Sequence, residues 1–444
     1  MSKHTLFLSV PGLRPRDAAD VTRMPNLNRL AADGDRRDLI PTFPCVTSPV
    51  QANMLTGVGP DQHGVIANGF FYRERNEVEF WVAPNAIITA PQLWDAFAKR
   101  GQGRTAAVWH AQNIKAAAAD FIVTPAPIHE PDGSTKLWCY AKPEGLYDRL
   151  LADLGHFPLQ HYWGPQANLE STRWIIEAAI WMHREHAPDF QYIYIPHLDY
   201  AAQKVGPDAP AAQTALSEFD ELLGHLATEM SRLPGGDDVT WIIAGEYALT
   251  AVSGAVFPNR RLREAGLLRV DERDDGEHLD IAGSTAFAMV DHQFAHVYVR
   301  GDAIEQTADV FRNVDGIATV AVGTERAALG IDHERAGEIV LVTEPDHWLA
   351  YYWWLDDAAA PAFARTVDIH QKPGYDPVEL FFDPAAHGIP LDAALVKGSH
   401  GAPVTRADQR SVVLTSRGGL LPESQDTLRD LDVHEVLTHA LRIA

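Results

Sequence analysis

Runs of apolar residues alternate with amphipathic stretches along this chain. Four of the runs are typical of buried strands, and each is followed by a loop and then by a helix-like pattern. They are Leu6–Val10, Thr105–Trp109, Phe190–Ile195 and Val239–Ile243. Such an alternation indicates βαβ units. It therefore predicts an α/β fold with a mostly parallel central sheet and helices on both faces.

Helical periodicity outside the middle of the chain predicts five helices. Their bounds are Pro91–Arg100, Pro143–Leu154, Leu169–His186, Pro210–Leu233 and Asp432–Leu441. Three of them open with proline, which is well tolerated in the first turn because the N–H that it lacks would have no partner there.

The middle of the chain has a different pattern. It predicts a helical segment near Ala303–Val314 and strands at Ala295–Val299, Ala318–Val322 and Glu338–Val342. We therefore expect residues 1–256 and 391–444 to form the α/β core, and residues 257–390 to form a small α+β insertion or cap. Five aromatic residues between positions 348 and 354 fall in this segment, and we expect them to pack in its interior.

Composition narrows the classes of partner. The 444 residues carry a formal charge of −23, which argues against nucleic acid because binding to its backbone draws on clustered Lys and Arg. The apolar run Leu6–Val10 is too short for a signal peptide or a membrane span, so we expect a cytoplasmic protein with no membrane partner. Cys45 and Cys139 are too few for a disulfide framework, and we expect both to be buried. The oligomeric state stays open.

Short segments with chemical character follow the predicted strands, at the edge where α/β sheets hold their active sites. The first strand runs into SVPGLRP at 9–15, and MPNLNRLAADG follows at 24–34. The next are TFPCVTSPV at 42–50 and MLTGVGPDQHGV at 54–65. The last three are IPHLDYAAQKVGPD at 195–208, GEYALT at 245–250 and KGSHG at 397–401.

In this order the segments resemble the alkaline-phosphatase superfamily, of the type I phosphodiesterase/nucleotide pyrophosphatase kind. The resemblance extends from Leu6 to about Gly401. It implies an alkaline-phosphatase-like fold and hydrolysis of a phosphoester in a small phosphorylated metabolite. It also implies a divalent metal, which is zinc in the family.

The resemblance assigns roles to individual residues. Thr47 takes the position of the catalytic nucleophile, where the free amides of a helix N-terminus suit a bound phosphoryl group. Taken alone, Thr47 also fits an N-cap. The resemblance also places metal ligands at Asp199, Glu246 and His400. Apart from the resemblance, His292 is a candidate ligand for a rebuilt site, and we expect four residues to bind substrate: Gln203, Tyr247, His197 and Asn68.

Four metal-ligand positions of the family hold other residue types here. Pro11 and Glu246 stand where the family has Asp, whereas Gln203 and Tyr247 stand where it has His. Zinc prefers imidazole, thiolate or carboxylate ligands, and proline has no ligating side chain. One ion beside Asp199 and His400, a rebuilt site and no ion at all therefore stay open. Arg14 and Lys372 are the candidates for local positive charge.

Two functions follow from these patterns. The first is a phosphoester hydrolase, acting on a diester or a monoester through a Thr47-bound intermediate. The alternative is a catalytically impaired or inactive pseudoenzyme that binds a ligand or a partner. The replacements at Pro11, Gln203 and Tyr247 favour the second function, whereas the long ordered match favours the first.

Overall fold

The structure is a computed structural model that describes residues 3–81, 84–100, 103–129 and 135–443. Its strands are β1 His4–Val10, β2 Arg36–Ile40, β3 Gly69–Tyr72, β4 Glu77–Phe80, β5 Ala106–Trp109, β6 Phe121–Pro125, β7 Ile128–His129, β8 Thr135–Lys136, β9 Cys139–Lys142, β10 Phe190–Tyr194, β11 Val239–Gly245, β12 Thr250–Ala251, β13 Gly254–Val256, β14 Arg269–Arg273, β15 Gly276–Asp280, β16 Ala286–Asp291, β17 Phe294–Val299, β18 Ile317–Val322, β19 Ile339–Thr343, β20 His347–Leu349, β21 Gly398–Ser399, β22 Ser411–Thr415 and β23 Thr427–Arg429. Its α-helices are α1 Pro15–Ala18, α2 Pro25–Leu30, α3 Thr47–Thr56, α4 Pro60–His63, α5 Leu93–Arg100, α6 Leu146–Leu154, α7 Leu169–His186, α8 His197–Val205, α9 Pro210–Ser231, α10 Pro258–Glu264, α11 Ile304–Asp309, α12 Thr324–Ala328 and α13 Asp432–Leu441.

A nine-stranded sheet forms the centre of the molecule, in the order β23-β2-β22-β11-β1-β10-β5-β6-β9. The four strands predicted from apolar runs are neighbours in its middle, and they pair in parallel. The flanking pairs β11–β22, β2–β22 and β6–β9 are antiparallel. The prediction of an α/β fold with a mostly parallel sheet is thus confirmed.

Helices cover both faces of this sheet. Side chains alternate between the two faces along a strand, and β1 shows the consequence. Leu6, Leu8 and Val10 pack with residues of α6, α7 and α9, whereas Phe7 packs with residues of α3, α5 and α13. Because β1 is apolar on both faces, it reads in the sequence as a continuous apolar run.

The predicted helices are all present, but two start later than expected. The helix predicted from Pro91 begins at Leu93, and the one predicted from Pro143 begins at Leu146. Only Pro210 occupies a first helical turn as predicted. In the middle of the chain, α11 ends at Asp309 and is shorter than the predicted segment.

A second sheet lies in the segment that we predict as an insertion. It is four-stranded, in the order β16-β17-β19-β18, and all its pairs are antiparallel. Its last three strands match the predicted ones, whereas β16 was not predicted. The aromatic residues at 348–354 are buried, as expected. Both cysteines are buried as well.

The turn between β16 and β17 brings this second sheet to the central one. His292 and Gln293 form the turn, and His292 adopts a positive φ of 62°. The backbone N–H of Gln293 donates to the carbonyl of His400 at 3.0 Å. This contact places the turn against the segment that follows β21.

Candidate active site

Six of the sequence-predicted residues meet at the carboxyl edge of the central sheet. They come from the start of α3, from α8, from the end of β11 and from the segment after β21. Hydrogen bonds, a stacked ring pair and a 3.9 Å approach of His400 to Asp199 connect them. The six residues are Thr47, Asp199, Gln203, Glu246, Tyr247 and His400. We call this group the cleft cluster.

Thr47 is the first residue of α3 and is buried. Its Oγ1 lies 3.0 Å from the hydroxyl of Tyr247. Val46 holds the N-cap position of the helix, so Thr47 is not the N-cap that its residue type also suggested. Burial raises the pKa of Tyr247 well above its usual value, and the nearby Asp199 and Glu246 carboxyls add to the shift. The phenol therefore stays protonated.

Glu246 follows the end of β11 and is completely buried. Its Oε1 accepts hydrogen bonds from the hydroxyl of Ser9 at 2.7 Å and from the amide of Gln51 at 2.8 Å. Its Oε2 has no partner among the described residues. Burial raises the pKa of Glu246 to about 8, because a charged carboxylate is poorly solvated there.

Asp199 and Gln203 are four residues apart in α8, so their side chains lie on the same face of the helix. The amide of Gln203 donates to Asp199 Oδ2 at 2.7 Å, and the hydroxyl of Tyr375 donates to Gln203 Oε1 at 2.8 Å. Asp199 Oδ1 has no hydrogen-bond partner in the described part of the chain. Burial raises the pKa of Asp199 to about 7.

His400 completes the cleft cluster. Its Nδ1 lies 2.8 Å from the carbonyl of Cys45, an acceptor, so this nitrogen carries the proton. Burial lowers the pKa of His400 well below its usual value and keeps the ring neutral. Its Nε2 therefore presents a lone pair, which has no hydrogen-bond partner among the described residues and lies 3.9 Å from Asp199 Oδ1.

Four aromatic rings form a continuous column through the site. Tyr247 stacks on His400 with centroids 3.6 Å apart, and His400 contacts His292 at 3.9 Å. His292 in turn stacks on Tyr375 at 3.7 Å. We call these four residues the ring column.

His292 and Asn68 are held by protein contacts. Asp291 accepts a hydrogen bond from Nδ1 of His292 at 2.6 Å. The same carboxyl accepts from the backbone and the side chain of Asn68, whose Oδ1 accepts from the N–H of Ser48. Asn68 thus connects the first turn of α3 to the β16–β17 turn, beside the proposed nucleophile.

His197 lies apart from the cleft cluster. It is the first residue of α8, and its Nε2 lies 2.9 Å from Glu218 of α9. Together with Tyr200 and Lys204 it lines a groove of about 460 Å³ between the start of α7, α8 and α9, and neither Asp199 nor Gln203 lines that groove. The structure therefore does not place His197 with the other predicted substrate-binding residues.

Three residues at the site had no role in the sequence prediction. Ser9 and Gln51 bind Glu246, and Tyr375 binds Gln203. A signal existed for Gln51, which is four residues after Thr47 and hence on the same face of α3. Tyr375 comes from a segment without secondary structure, and its position could not be read from a local pattern.

The two candidates for local positive charge are already paired. Arg14 binds Asp17 and Asp208, and the buried Lys372 binds Asp376 at 2.8 Å and Glu379 at 2.7 Å. Within residues 3–81, 84–100, 103–129 and 135–443, no Lys or Arg forms an ion pair with Asp199 or Glu246.

The residues present do not fit the family's pair of metal ions. No three His, Cys, Asp or Glu side chains among the described residues are grouped so that they could hold an ion, whereas catalytic zinc sites use three protein ligands. The hydrogen bond from Nδ1 of His292 to Asp291 leaves Nε2 as its possible ligand atom. The metal roles of Asp199, Glu246, His400 and His292 stay predictions.

Comparison with solved structures identifies the fold. The murine ectonucleotide pyrophosphatase/phosphodiesterase 5 has a TM-score of 0.64 at 15% identity, and the match covers 99% of this chain and 95% of that chain. Phosphonoacetate hydrolase from Sinorhizobium meliloti 1021, in complex with phosphonoacetate, has a TM-score of 0.66 at 19% identity with the same coverage. The fold is therefore that of the alkaline-phosphatase superfamily.

A sequence profile identifies the protein family. The profile described as type I phosphodiesterase/nucleotide pyrophosphatase matches residues 5–376, and the chain belongs to this family. Membership supports phosphoester hydrolysis as the class of reaction, and the family is in general one of divalent-metal enzymes.

Relatives found by sequence match about two thirds of this chain. Ectonucleotide pyrophosphatase/phosphodiesterase family member 7 of Rattus norvegicus is 22% identical over 314 residues, which are 67% of this chain and 64% of that protein. Its human counterpart is 23% identical over 317 residues, with 66% and 60% covered. The chain thus matches about three fifths of the length of these relatives. In the described part of the chain, no helix combines the length and the apolar character that a membrane crossing requires.

Proposed function

We propose that this chain is a catalytically impaired member of its family that retains the cleft and binds a small ligand there. The observation that carries the proposal is the 3.0 Å contact between Thr47 Oγ1 and the hydroxyl of Tyr247. A nucleophilic hydroxyl needs a neighbouring base, a lowered pKa or a metal. The two hydroxyls share a hydrogen bond in which either is the donor, and a protonated phenol is not a base that removes the proton of Thr47.

The surroundings of Thr47 support the same proposal. Two-ion sites stabilise the attacking and the leaving oxygen of a phosphoryl group. At one ion position of the family, Pro11 and Tyr247 replace the Asp and the His that would bind the ion. At the other ion position, the amide of Gln203 replaces a His, and its nitrogen and its oxygen are both hydrogen-bonded within the protein. The carboxyl of Glu246 lies beside the hydroxyl of Thr47, but burial raises the pKa of Glu246 to about 8, so near neutral pH this carboxyl is mostly protonated and takes up the Thr47 proton poorly.

A second candidate function is favoured by one specific observation. Asp199 Oδ1 and His400 Nε2 are both buried, both lack a hydrogen-bond partner in the described part of the chain, and lie 3.9 Å apart. Two such atoms at a metal position of the family suit a single-ion phosphoester hydrolase in which Thr47 is the nucleophile. This candidate requires about one bound ion per chain and turnover that depends on Thr47.

Enzyme assays separate the two candidates. We expect the purified protein, offered zinc or manganese, to show no turnover of p-nitrophenyl phosphate, bis-p-nitrophenyl phosphate or nucleotide sugars above that of Thr47→Ala. Thr56→Ala is a matched control, because Thr56 ends the same helix and its hydroxyl donates to the carbonyl of Ala52. Turnover that Thr47→Ala abolishes and Thr56→Ala leaves unchanged would establish the hydrolase instead.

A further inference from the structure

The cleft cluster offers acceptors without a matching donor. Asp199 Oδ1 and His400 Nε2 are buried atoms with no hydrogen-bond partner among the residues that the structure describes. A buried acceptor without a donor costs about 1–3 kcal/mol. Two such atoms only 3.9 Å apart indicate that something from outside the chain supplies the donor.

We infer that the cleft binds a small organic ammonium group, gripped between Asp199 and His400, and that it no longer selects phosphate. This inference rests on the proposed function, because it takes the cleft to be a binding site without the family's ions. The protein would then have the fold of a phosphoester hydrolase but the opposite charge preference in its ligand.

The geometry between the two gripping atoms supports a hydrogen-bond donor. Because Nδ1 of His400 donates to Cys45, its Nε2 presents only a lone pair. Asp199 Oδ1 lies 3.9 Å away. A tetrahedral zinc with ligand bonds of about 2.0–2.2 Å would bring two ligands to roughly 3.4 Å of each other. An N–H donor at about 2.8–2.9 Å from each atom spans the wider gap.

The charges near the cleft also favour an ammonium ligand over a phosphate. Two carboxyl groups, Asp199 and Glu246, belong to the cleft cluster, and within the described ranges no Lys or Arg pairs with either of them. Lys372 is neutralised by Asp376 and Glu379. A phosphate would meet carboxyl oxygens with no cation to offset them, whereas an ammonium would form charge-assisted hydrogen bonds.

Exposure indicates the direction of access and the size of the ligand. The side chain of Asp199 is 11% exposed, whereas that of His400 is 1% exposed. A ligand therefore reaches the pair from the side of Asp199. Since both residues are this well covered, the first probe should be as small as methylammonium.

Thermal unfolding at pH 8 tests the inference on the whole chain. We expect methylammonium chloride to raise the midpoint temperature in a saturable way, beyond equal concentrations of potassium chloride or methanol. We expect Asp199→Asn to weaken this binding by at least about tenfold, since it removes a charge-assisted hydrogen bond. Asp302→Asn is the matched control, because it makes the same chemical change at an exposed position and should leave the binding intact.

Each other outcome overturns the inference. Equal effects of methanol and methylammonium would show that the positive charge is not recognised. Stabilisation by inorganic phosphate but not by methylammonium would show that the site binds anions, as expected for a phosphoester hydrolase. Stoichiometric zinc binding that displaces methylammonium and is lost in Asp199→Asn would make the pair a metal site. The proposed function fails separately, through Thr47-dependent turnover, whichever of these results is found.

Discussion

A quadruple variant with Pro11→Asp, Gln203→His, Glu246→Asp and Tyr247→His is expected to bind divalent ions and to gain hydrolysis of p-nitrophenyl phosphate esters. The resemblance to the family places its metal ligands at these positions. Restoring them adds two imidazoles and one carboxylate around Thr47, and it removes the phenol that lies 3.0 Å from its Oγ1. We expect total turnover at least about tenfold above that of the parent, and its loss when Thr47→Ala is added, since bound ions supply the missing electrophile.

Ion content and stability measure the first part of this prediction. Elemental analysis should find close to two ions per quadruple-variant chain and none in the parent. At an ion concentration near 100 times the dissociation constant, the folded state should gain about 3 kcal/mol, which a chelator removes. Gln203→His alone should bind one ion, because it completes a set with Asp199 and His400. If the parent binds ions as tightly as the quadruple variant does, the proposal that its site is catalytically impaired is wrong.

The second large effect is expected at His110. This residue follows β5, has a positive φ of 59° and is completely buried among the rings of Phe157, Tyr162 and Trp174. Neither of its ring nitrogens has a hydrogen-bond partner among the residues that the structure describes. We therefore expect His110→Phe to raise the free energy of unfolding by about 1–3 kcal/mol at neutral pH.

The effect of His110→Phe should grow in acid. Burial lowers the pKa of His110 to about 3 from its ordinary 6.5. Between these two values the unfolded chain binds a proton that the folded chain does not, so stability falls as the pH decreases from 6.5 towards 3. At pH 5 the loss from this one group is about 2 kcal/mol.

Denaturant titrations of parent and variant at pH 7 and pH 5 measure both the gain in stability at neutral pH and its increase in acid. The difference in unfolding free energy should be larger at pH 5. His439→Phe serves as the control, because His439 is exposed on α13. A His110→Phe variant that is less stable than the parent at both pH values would show that the imidazole has a partner, such as a buried water.

Much of the fold could be predicted because the central strands are buried on both faces. Strands such as β1 and β11 appear as unbroken apolar runs, and these runs set the order of βαβ units. Helix starts were less predictable. Pro91 and Pro143 are compatible with a first turn, but compatibility does not require the helix to begin there, and the helices begin at Leu93 and Leu146.

The sequence predicted those site residues that belong to a sequence motif. It did not predict those that reach the site through a contact between distant segments. The placement of His197 shows the physical reason. If residues 197–199 ended a strand, His197 and Asp199 would share a face, because side chains repeat every second residue. They lie instead in α8, where residues two apart do not face the same way. Contacts such as that of Tyr375 with Gln203 join distant segments and leave no local pattern.

The ring column has a consequence for how anything enters or leaves this site. Its members come from the end of β11, the segment after β21, the β16–β17 turn and the segment around Tyr375. A ring clamped between neighbours at 3.6–3.9 Å cannot swing aside alone. Opening on the side of the ring column must separate whole backbone segments, and such collective motion takes microseconds to milliseconds, whereas a rotamer flip takes picoseconds to nanoseconds. Exchange of a ligand past the ring column should therefore be slow.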